Sequence, residues 1–527
     1  MKGRATWAAL VGLEFLAAAL RLWGIGYGIP HPVARPDEEL VVGKALQMSV
    51  GRIWNPGDFN YPHLVFDVDA LALAGYRVAG RVTGRYASTE EFLVDIAVRR
   101  PGLQYLVARS VGVALGVATV FATVLAAWYA YERRSVALLA GLMVSVNLLH
   151  ARDSHFGTVD VPMTLFVTLS LAFSIKAART QRRRDYLIAG LLAGLATSAK
   201  YNAGTAIVGV VVAAAPRLWR PKEPAERRRA MVSLLLAGLA VTAAFAATSP
   251  ACFLRFDQVV AGLVIQKQAL FGSRGEPAWI THLTVTLPGA FGWPGFVAVG
   301  AGLLGALWRR RVPDLIFLAF LIPTFASMAT MTWVLGRYTL PMVPPLAILA
   351  AETVLSLLPA ARTVYLAAAA LLLVLPPLAS IIQYDHLAAE DDTRLQATAW
   401  VAENLRPRSR ILVCPGYGAP VLNDDHRRPP AFKPEMIRCS PDEIRTAGVR
   451  HLITHDHPYV LYSRPTDELR RWLAENARAL AVFDPFRTGS VVKPYFYSGD
   501  AFYLPYSGFD AVERGGPVIT IWDLGER

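Results

Sequence analysis

The sequence predicts a mainly α-helical, polytopic membrane protein with about eleven transmembrane helices and some interfacial helices, followed by a C-terminal extracytoplasmic α/β domain. Three observations predict it. The 527 residues are 54% hydrophobic and only 18% charged, with a mean hydropathy of +0.36, where a water-soluble chain of this size carries more charge. Apolar runs of span length recur between residues 7 and 383. Basic residues gather in short loops that alternate along the chain, as cytoplasmic loops do.

The opening "MKGRATWAALVGLEFLAAALRLWGIGYG" has the basic start and apolar core of a signal peptide but no convincing cleavage site, so 7–25 is predicted as a retained first span. Further spans are expected near 103–130, 136–151, 160–178, 186–200, 203–215, 231–249, 292–308, 314–333, 340–358 and 364–383. The stretch 64–83 carries Asp67, Asp69, Arg77 and Arg81, which suits an amphipathic helix in the interface better than a span. With the N-terminus inside, "YERRS" at 131, "KAARTQRRRD" at 176, "RLWRPKEPAERRRA" at 217, "WRRR" at 308 and "AART" at 360 all fall on the cytoplasmic side. The net charge of +13 then follows from topology and attraction to anionic lipid, and calls for no nucleic acid.

The opposite side receives a loop at 26–102, another at 250–291, and everything after Tyr384. Two domains are expected: a transmembrane domain, 1–384, and a soluble extracytoplasmic α/β domain, 385–527. In the latter, "TRLQATAWVAENL" and "TDELRRWLAENA" read as amphipathic helices, and "RILVC", "LAVFDP" and "VITIWDL" as strands. An oxidising compartment would permit a Cys414–Cys439 bridge, though sequence alone leaves the pairing open, and Cys252 reads as unpaired. "HLITHDHP" gathers His451, His455, Asp456 and His457, but the spacing fits no zinc signature and reads as a strand end before a polar turn.

This topology delivers carboxylates and cations to one membrane face. They are Arg35, Asp37, Glu38 and Glu39 in "ARPDEEL", His63 in "NYPHL", Arg109, then His150, Arg152, Asp153, His155 and Asp160, with Lys200 and Tyr201, and Arg337 and Tyr338. Ionisable groups at membrane depth mark function by default. Bland readings stand beside that one: Arg35 and Glu39 paired at the interface, Lys200 snorkelling to headgroups, Arg337 and Tyr338 anchoring a span end. An acid can act as general base on a hydroxyl while fixed Arg and Lys hold the phosphate of a leaving group. A lipid-phosphate sugar meets both demands. Its phosphate would meet Lys200, Arg337 and Arg152, with His63, His155, Arg109, Tyr201 and Tyr338 as further substrate contacts. A transporter or flippase would line its path with the same charges. It also predicts inverted repeats with broken helices in both halves, whereas only one short-helix pair, 186–215, is visible.

The order of "RPDEEL", "YPHL", "ARDSHFGTVDVP", "GLATSAKYNAG" and "RYTLPMVPPLAIL" resembles the C-type membrane glycosyltransferases. The likeness runs to the bacterial relatives of protein O-mannosyltransferases and of the lipid A aminoarabinose transferase, over roughly residues 5–350. The resemblance implies a polyprenyl-phosphate sugar donor, an inner-membrane location with an extracytoplasmic active site, and inverting transfer without a covalent enzyme intermediate. The acceptor would be a lipid, a glycan or a protein hydroxyl. It makes Asp37 the catalytic carboxylate with Glu38 beside it, matches Asp160 to a second acidic position, and matches Lys200 and Arg337 to donor-phosphate contacts. No cofactor is expected to be required. Relatives differ over a divalent metal, for which His155, Asp160 and Asp37 would be the ligands. His63 departs from the family pattern, which often has a lysine or a second proline there.

Overall fold

The computed structural model describes the chain apart from residues 1–2, 32–33, 52–53, 272–276, 359–362, 423–432, 436–438, 501 and 526–527. Most of the basic "AART" stretch at 360 thus lies outside the described residues. The chain divides into two compact units: Met1–Leu22, Val41–Ala72 and Ala108–Ile382 form the first, and Trp23–Leu40, Leu73–Val107 and Gln383–Arg527 the second.

The first unit is helical throughout, and this is a multi-pass membrane protein. Among the described residues, nine helical segments, from Arg4–Leu22 to Val364–Asn404, are long and apolar enough to cross a membrane. Helix also forms at the other two of the eleven expected positions, but Arg134–Ser145 is only 12 residues and Arg183–Ala199 only 17. Leu64–Val82 forms one 19-residue helix and, with its four charges, is not among the nine.

The expected span 136–151 is broken, and the break has an identifiable cause. The Asn147 side chain accepts from the His150 backbone N–H and starts a new short helix, Leu148–Asp153. The carbonyls left over at the end of Arg134–Ser145 are taken by Arg21, whose Nη1 donates to Ser145 O (3.0 Å) and Nη2 to Val144 O (3.2 Å), with His150 Nδ1 at 2.8 Å. Buried carbonyls at a helix end need such partners. Two of the predicted loop arginines also serve the interior, since Arg133 and Arg311 each reach the buried Glu352 at 3.0 Å.

Small residues set the closest helix contact. The Arg183–Ala199 helix packs along Pro224–Thr248; a Cβ at Gly190 would lie 2.3 Å from Ala237 O, and one at Gly194 2.5 Å from Val241 O. Glycines four apart allow backbones in a membrane to approach this far. Gly190→Val is expected to cost about 1–3 kcal/mol by overpacking, read as a lower melting temperature of the detergent-extracted protein.

The C-terminal part of the second unit is a five-stranded sheet of order β2-β1-β3-β5-β4: β1 Arg410–Val413, β2 Lys433–Glu435, β3 His451–Asp456, β4 Arg478–Phe483 and β5 Val518–Asp523. The first three are parallel, and β5 runs antiparallel to β3 and β4. The period-2 alternation splits its side chains between two cores. Ile411, Val413, Ile453, Ile519 and Ile521 pack with Ala397 and Val401 of the Thr393–Asn404 helix. On the other face Leu412, Cys414 and Leu452 pack with Ile444, Leu469, Trp472 and Leu473. Cys414 and Cys439 form a disulfide, while Cys252 is a free, buried thiol. The bridge closes a loop of 25 residues, so replacing both cysteines by Ser should destabilise this unit by about 2–4 kcal/mol, measured by chemical denaturation.

Candidate donor site and acidic turn

Three interruptions of helix bring the donor-site candidates of the first unit together. Asp160 opens the Asp160–Thr180 helix. Lys200 is an extended residue (φ −155°, ψ 130°) between Arg183–Ala199 and a 3₁₀ turn, Tyr201–Ala206. Arg337 and Tyr338 lie on a 3₁₀ stretch, Gly336–Met342, that precedes Val343–Leu357. Irregular backbone at membrane depth is tolerated where it is buried in protein or lines a cavity. Lys200 Nζ donates to Asp160 Oδ1 at 2.7 Å, Arg337 Nε approaches Asp160 Oδ2 at 3.9 Å, and Lys200 Nζ sits 4.5 Å from the centre of the Tyr338 ring. Two cations thus meet at one buried carboxylate, and Lys and Arg side chains are the groups that hold an anion such as a phosphate. Lys200 therefore points to Asp160 rather than simply snorkelling.

The remaining candidates of this unit make contacts of their own. Arg152 is paired with its neighbour Asp153 at 2.7 Å, both buried, on the short Leu148–Asp153 helix that packs against Gly336–Met342. His155 Nδ1 faces the carbonyls of Ala151 (2.9 Å) and Arg152 (3.1 Å). The Arg109 guanidinium lies 5.1 Å from the centre of the Phe156 ring. His63 and Tyr201 share another cluster: the His63 N–H donates to Ser249 Oγ (3.0 Å), and the Tyr201 hydroxyl donates to Phe59 O (3.2 Å) and lies 3.5 Å from Cys252 Sγ.

Two features escape sequence reasoning. A hydroxyl chain, Thr248 to Ser198 (2.6 Å) to Ser249 (2.5 Å), backs the His63 segment. A buried His282, with Nδ1 3.1 Å from Thr286 Oγ1, stands in a π-helical turn, His282–Thr286, that packs against Gly336–Met342. Nothing in the local sequence announces either one, because each depends on helices distant in the chain.

The acidic turn belongs to the second unit. Asp37 adopts φ +72°, the left-handed region that Asp and Asn enter more readily than other side chains. Glu38 is buried, and its N–H donates to Arg35 O at 3.3 Å. Burial, followed by the charges of Asp37 and Glu38, raises the pKa of Glu39. Arg35, whose charge also acts on Glu39, gives Nη1 to Asp500 at 2.6 Å, with its guanidinium 5.1 Å from the Phe502 ring centre. His31 Nε2 donates to Ala419 O at 2.7 Å. Close by in sequence to Ala419, Tyr417 has its pKa pushed up to about 12 by burial and then by the charges of Glu39 and Asp37.

Two buried histidines of this unit make it acid-sensitive. Burial and Arg394 lower His31 from 6.5 to about 3, and burial and Arg464 lower His457 from 6.5 to about 3. Below pH 6.5 the unfolded chain binds protons that the folded one refuses until about pH 3, so stability falls as pH drops through that window. The expected loss is up to about 1.4 kcal/mol per histidine per pH unit, checked by denaturant midpoints between pH 7 and 4.

The "HLITHDHP" histidines are engaged locally. His455 Nδ1 lies 2.8 Å from Ser463 Oγ, and His457 Nδ1 accepts from the N–H groups of Tyr459 (3.2 Å) and Val460 (3.1 Å). Among the described residues no three His, Cys, Asp or Glu side chains gather as a metal site.

Residues 102–254 match the family model of the dolichyl-phosphate-mannose-protein mannosyltransferases. No curated protein matches the chain. Among solved structures, ArnT from Cupriavidus metallidurans in the apo state is 14% identical, with 98% of this chain and 97% of that chain covered and a TM-score of 0.50. The oligosaccharyltransferase of Archaeoglobus fulgidus is 12% identical, covering 85% of this chain and 69% of its own, at 0.46. The Pmt1-Pmt2 protein O-mannosyltransferase complex of S. cerevisiae is 18% identical, covering 49% and 35%, at 0.37. The chain thus has the C-type fold of membrane glycosyltransferases, and over residues 102–254 it is related to the dolichyl-phosphate-mannose-protein mannosyltransferases.

Proposed function

We propose that this protein transfers a sugar from a polyprenyl-phosphate donor to a hydroxyl of an extracytoplasmic lipid, glycan or protein, with inversion. The observation that carries the reading is the convergence of Lys200 and Arg337 on the buried Asp160, a ready site for a phosphate. The family matched over 102–254 takes its name from a dolichyl-phosphate sugar donor. Asp37 removes the acceptor proton as the acceptor oxygen bonds to the anomeric carbon. The bond from that carbon to the phosphate oxygen breaks, and the polyprenyl phosphate leaves with its growing charge held by Lys200 and Arg337. A single displacement inverts the anomeric carbon. Glu38 shapes the acidic turn, Asp160 holds the two cations in register, and Arg152, His63, His155, Arg109, Tyr201 and Tyr338 form the surrounding substrate contacts. No metal is required in this reading, since the two cations supply charge of the kind a divalent ion would add. In this reading 1–384 is an inner-membrane domain, and 385–527 lies with the active site on the extracytoplasmic side.

The test offers membranes containing the protein a panel of radiolabelled polyprenyl-phosphate sugars. Transfer of label from one donor, with the opposite anomeric configuration in the product, is the expected result. Absence of donor binding, together with movement of a lipid or solute across vesicles, would replace transfer by transport.

A further inference from the structure

Arg35 is buried at 1% exposure, and the side chain that meets it, Asp500 at 3%, is 465 residues further along the chain. The guanidinium is constrained from two directions. Asp500 Oδ1 accepts from Nη1 at 2.6 Å, while the Phe502 ring lies 5.1 Å from Cζ. The ring is itself held, edge-on to Tyr27 at 5.7 Å and tilted against Tyr384 at 6.2 Å, and the Phe502 N–H donates to Asp500 O at 2.6 Å. A second tie, His31 to Ala419 O, fixes the same N-terminal segment on its other flank. Downstream of Arg35 the chain turns at once. Arg35 O accepts from Glu38 N–H, and the residue inside that turn is Asp37, at φ +72°. A single Asp tolerates this conformation better than most side chains, but its geometry still depends on how the flanking chain is held.

We propose that Asp500 is a positioning residue for catalysis: through Arg35 it sets the backbone of the turn that presents Asp37. This rests on the transferase reading above. It gives the C-terminal part of the second unit a duty in the chemistry, beyond any contact with acceptor. Neither Asp500 nor Phe502 has a place in the sequence pattern of the acidic turn, and the pair would be missed by any search confined to the membrane helices.

The test uses the full chain with Asp500→Asn and Arg35→Lys, and the exchange Arg35→Asp with Asp500→Arg. Turnover of the labelled donor is read per folded molecule, alongside binding of unlabelled polyprenyl phosphate. Both single variants should lose turnover on the order of 100-fold, the scale of an ångström's misplacement of a reacting group, with polyprenyl-phosphate binding unchanged. The exchange should recover much of the loss. Wild-type turnover in Asp500→Asn would overturn the assignment, as would a loss no larger than the loss of folded protein, or a folded exchange variant that regains nothing. If the exchange variant does not fold, Arg35→Lys decides, because it keeps the charge and removes the planar fork; wild-type turnover there would overturn it too. A wild type inert with every donor defeats the transferase reading itself, a result distinct from active wild type with active Asp500→Asn.

Discussion

Asp37→Asn should lower turnover by about 10²- to 10⁴-fold, the usual worth of a general base, while polyprenyl-phosphate binding stays as in the wild type. The change is nearly isosteric, and Asn is as much at home as Asp at a positive φ, so the turn observed at φ +72° keeps its shape. What disappears, on the proposed mechanism, is the site that accepts the proton of the attacking hydroxyl. Single-turnover transfer from pre-bound donor isolates that step, because binding and product release drop out of the measurement. The acidic triplet supplies its own controls. Glu38 is buried, with its backbone closing the turn, and Glu39 carries a pKa raised by burial. A loss confined to Glu39→Gln, with Asp37→Asn active, would move the base two residues along and leave the donor assignments intact.

Lys200→Met carries the second large effect, about 10²- to 10³-fold in turnover, by analogy with removing one preorganised donor from a developing anion, together with weaker donor binding. The length of the side chain is kept and its charge is lost. Its consequence depends on Asp160, which has Lys200 at 2.7 Å and Arg337 at 3.9 Å. Without Lys200 the buried carboxylate leans on Arg337 alone, withdrawing that guanidinium from the donor, so the phosphate loses more than one contact. Pairing the change with Asp160→Asn should return part of the donor affinity by releasing Arg337. Isothermal titration with polyprenyl phosphate on the three variants checks this, and additive losses would show that Asp160 does not organise the two cations. Lys200→Arg is not a neutral control, since a planar fork does not replace a compact ammonium.

The spans were legible because each is a long apolar run, a signal carried within its own twenty or so residues. Their interruptions were only half legible. Lys200 and Arg337 advertise themselves as charges inside apolar sequence, but the break at Asn147 is polar and local, and the arginine that completes it comes from the first helix. The strands β1, β3, β4 and β5 carry short runs of apolar residues, whereas β2 has three residues, too few for any run to register. Most of the first predicted loop, 23–40 and 73–107, joins the unit that contains the sheet. Nothing in those segments could say so, because the ties are isolated contacts such as Arg35 to Asp500, His31 to Ala419 and Tyr27 to Phe502, and such contacts carry no periodicity. The acidic turn shows the same limit: its residue types were readable, but Asp500, 465 residues further along, could not be read as a partner of Arg35.

The Cys414–Cys439 bridge has a use that the charged loops lack. Thiols stay reduced in the cytosol and are oxidised outside it, so the state of this pair in living cells reports the sidedness of the sheet without reference to any positive residue. Alkylation of acid-quenched, denatured cell protein before and after reduction would read it, with the lone thiol of Cys252 as the internal standard. If the two sulfurs are blocked from the start, the polypeptide after Tyr384 has met an oxidant. If they label without reduction, the orientation drawn from the arginine clusters is inverted.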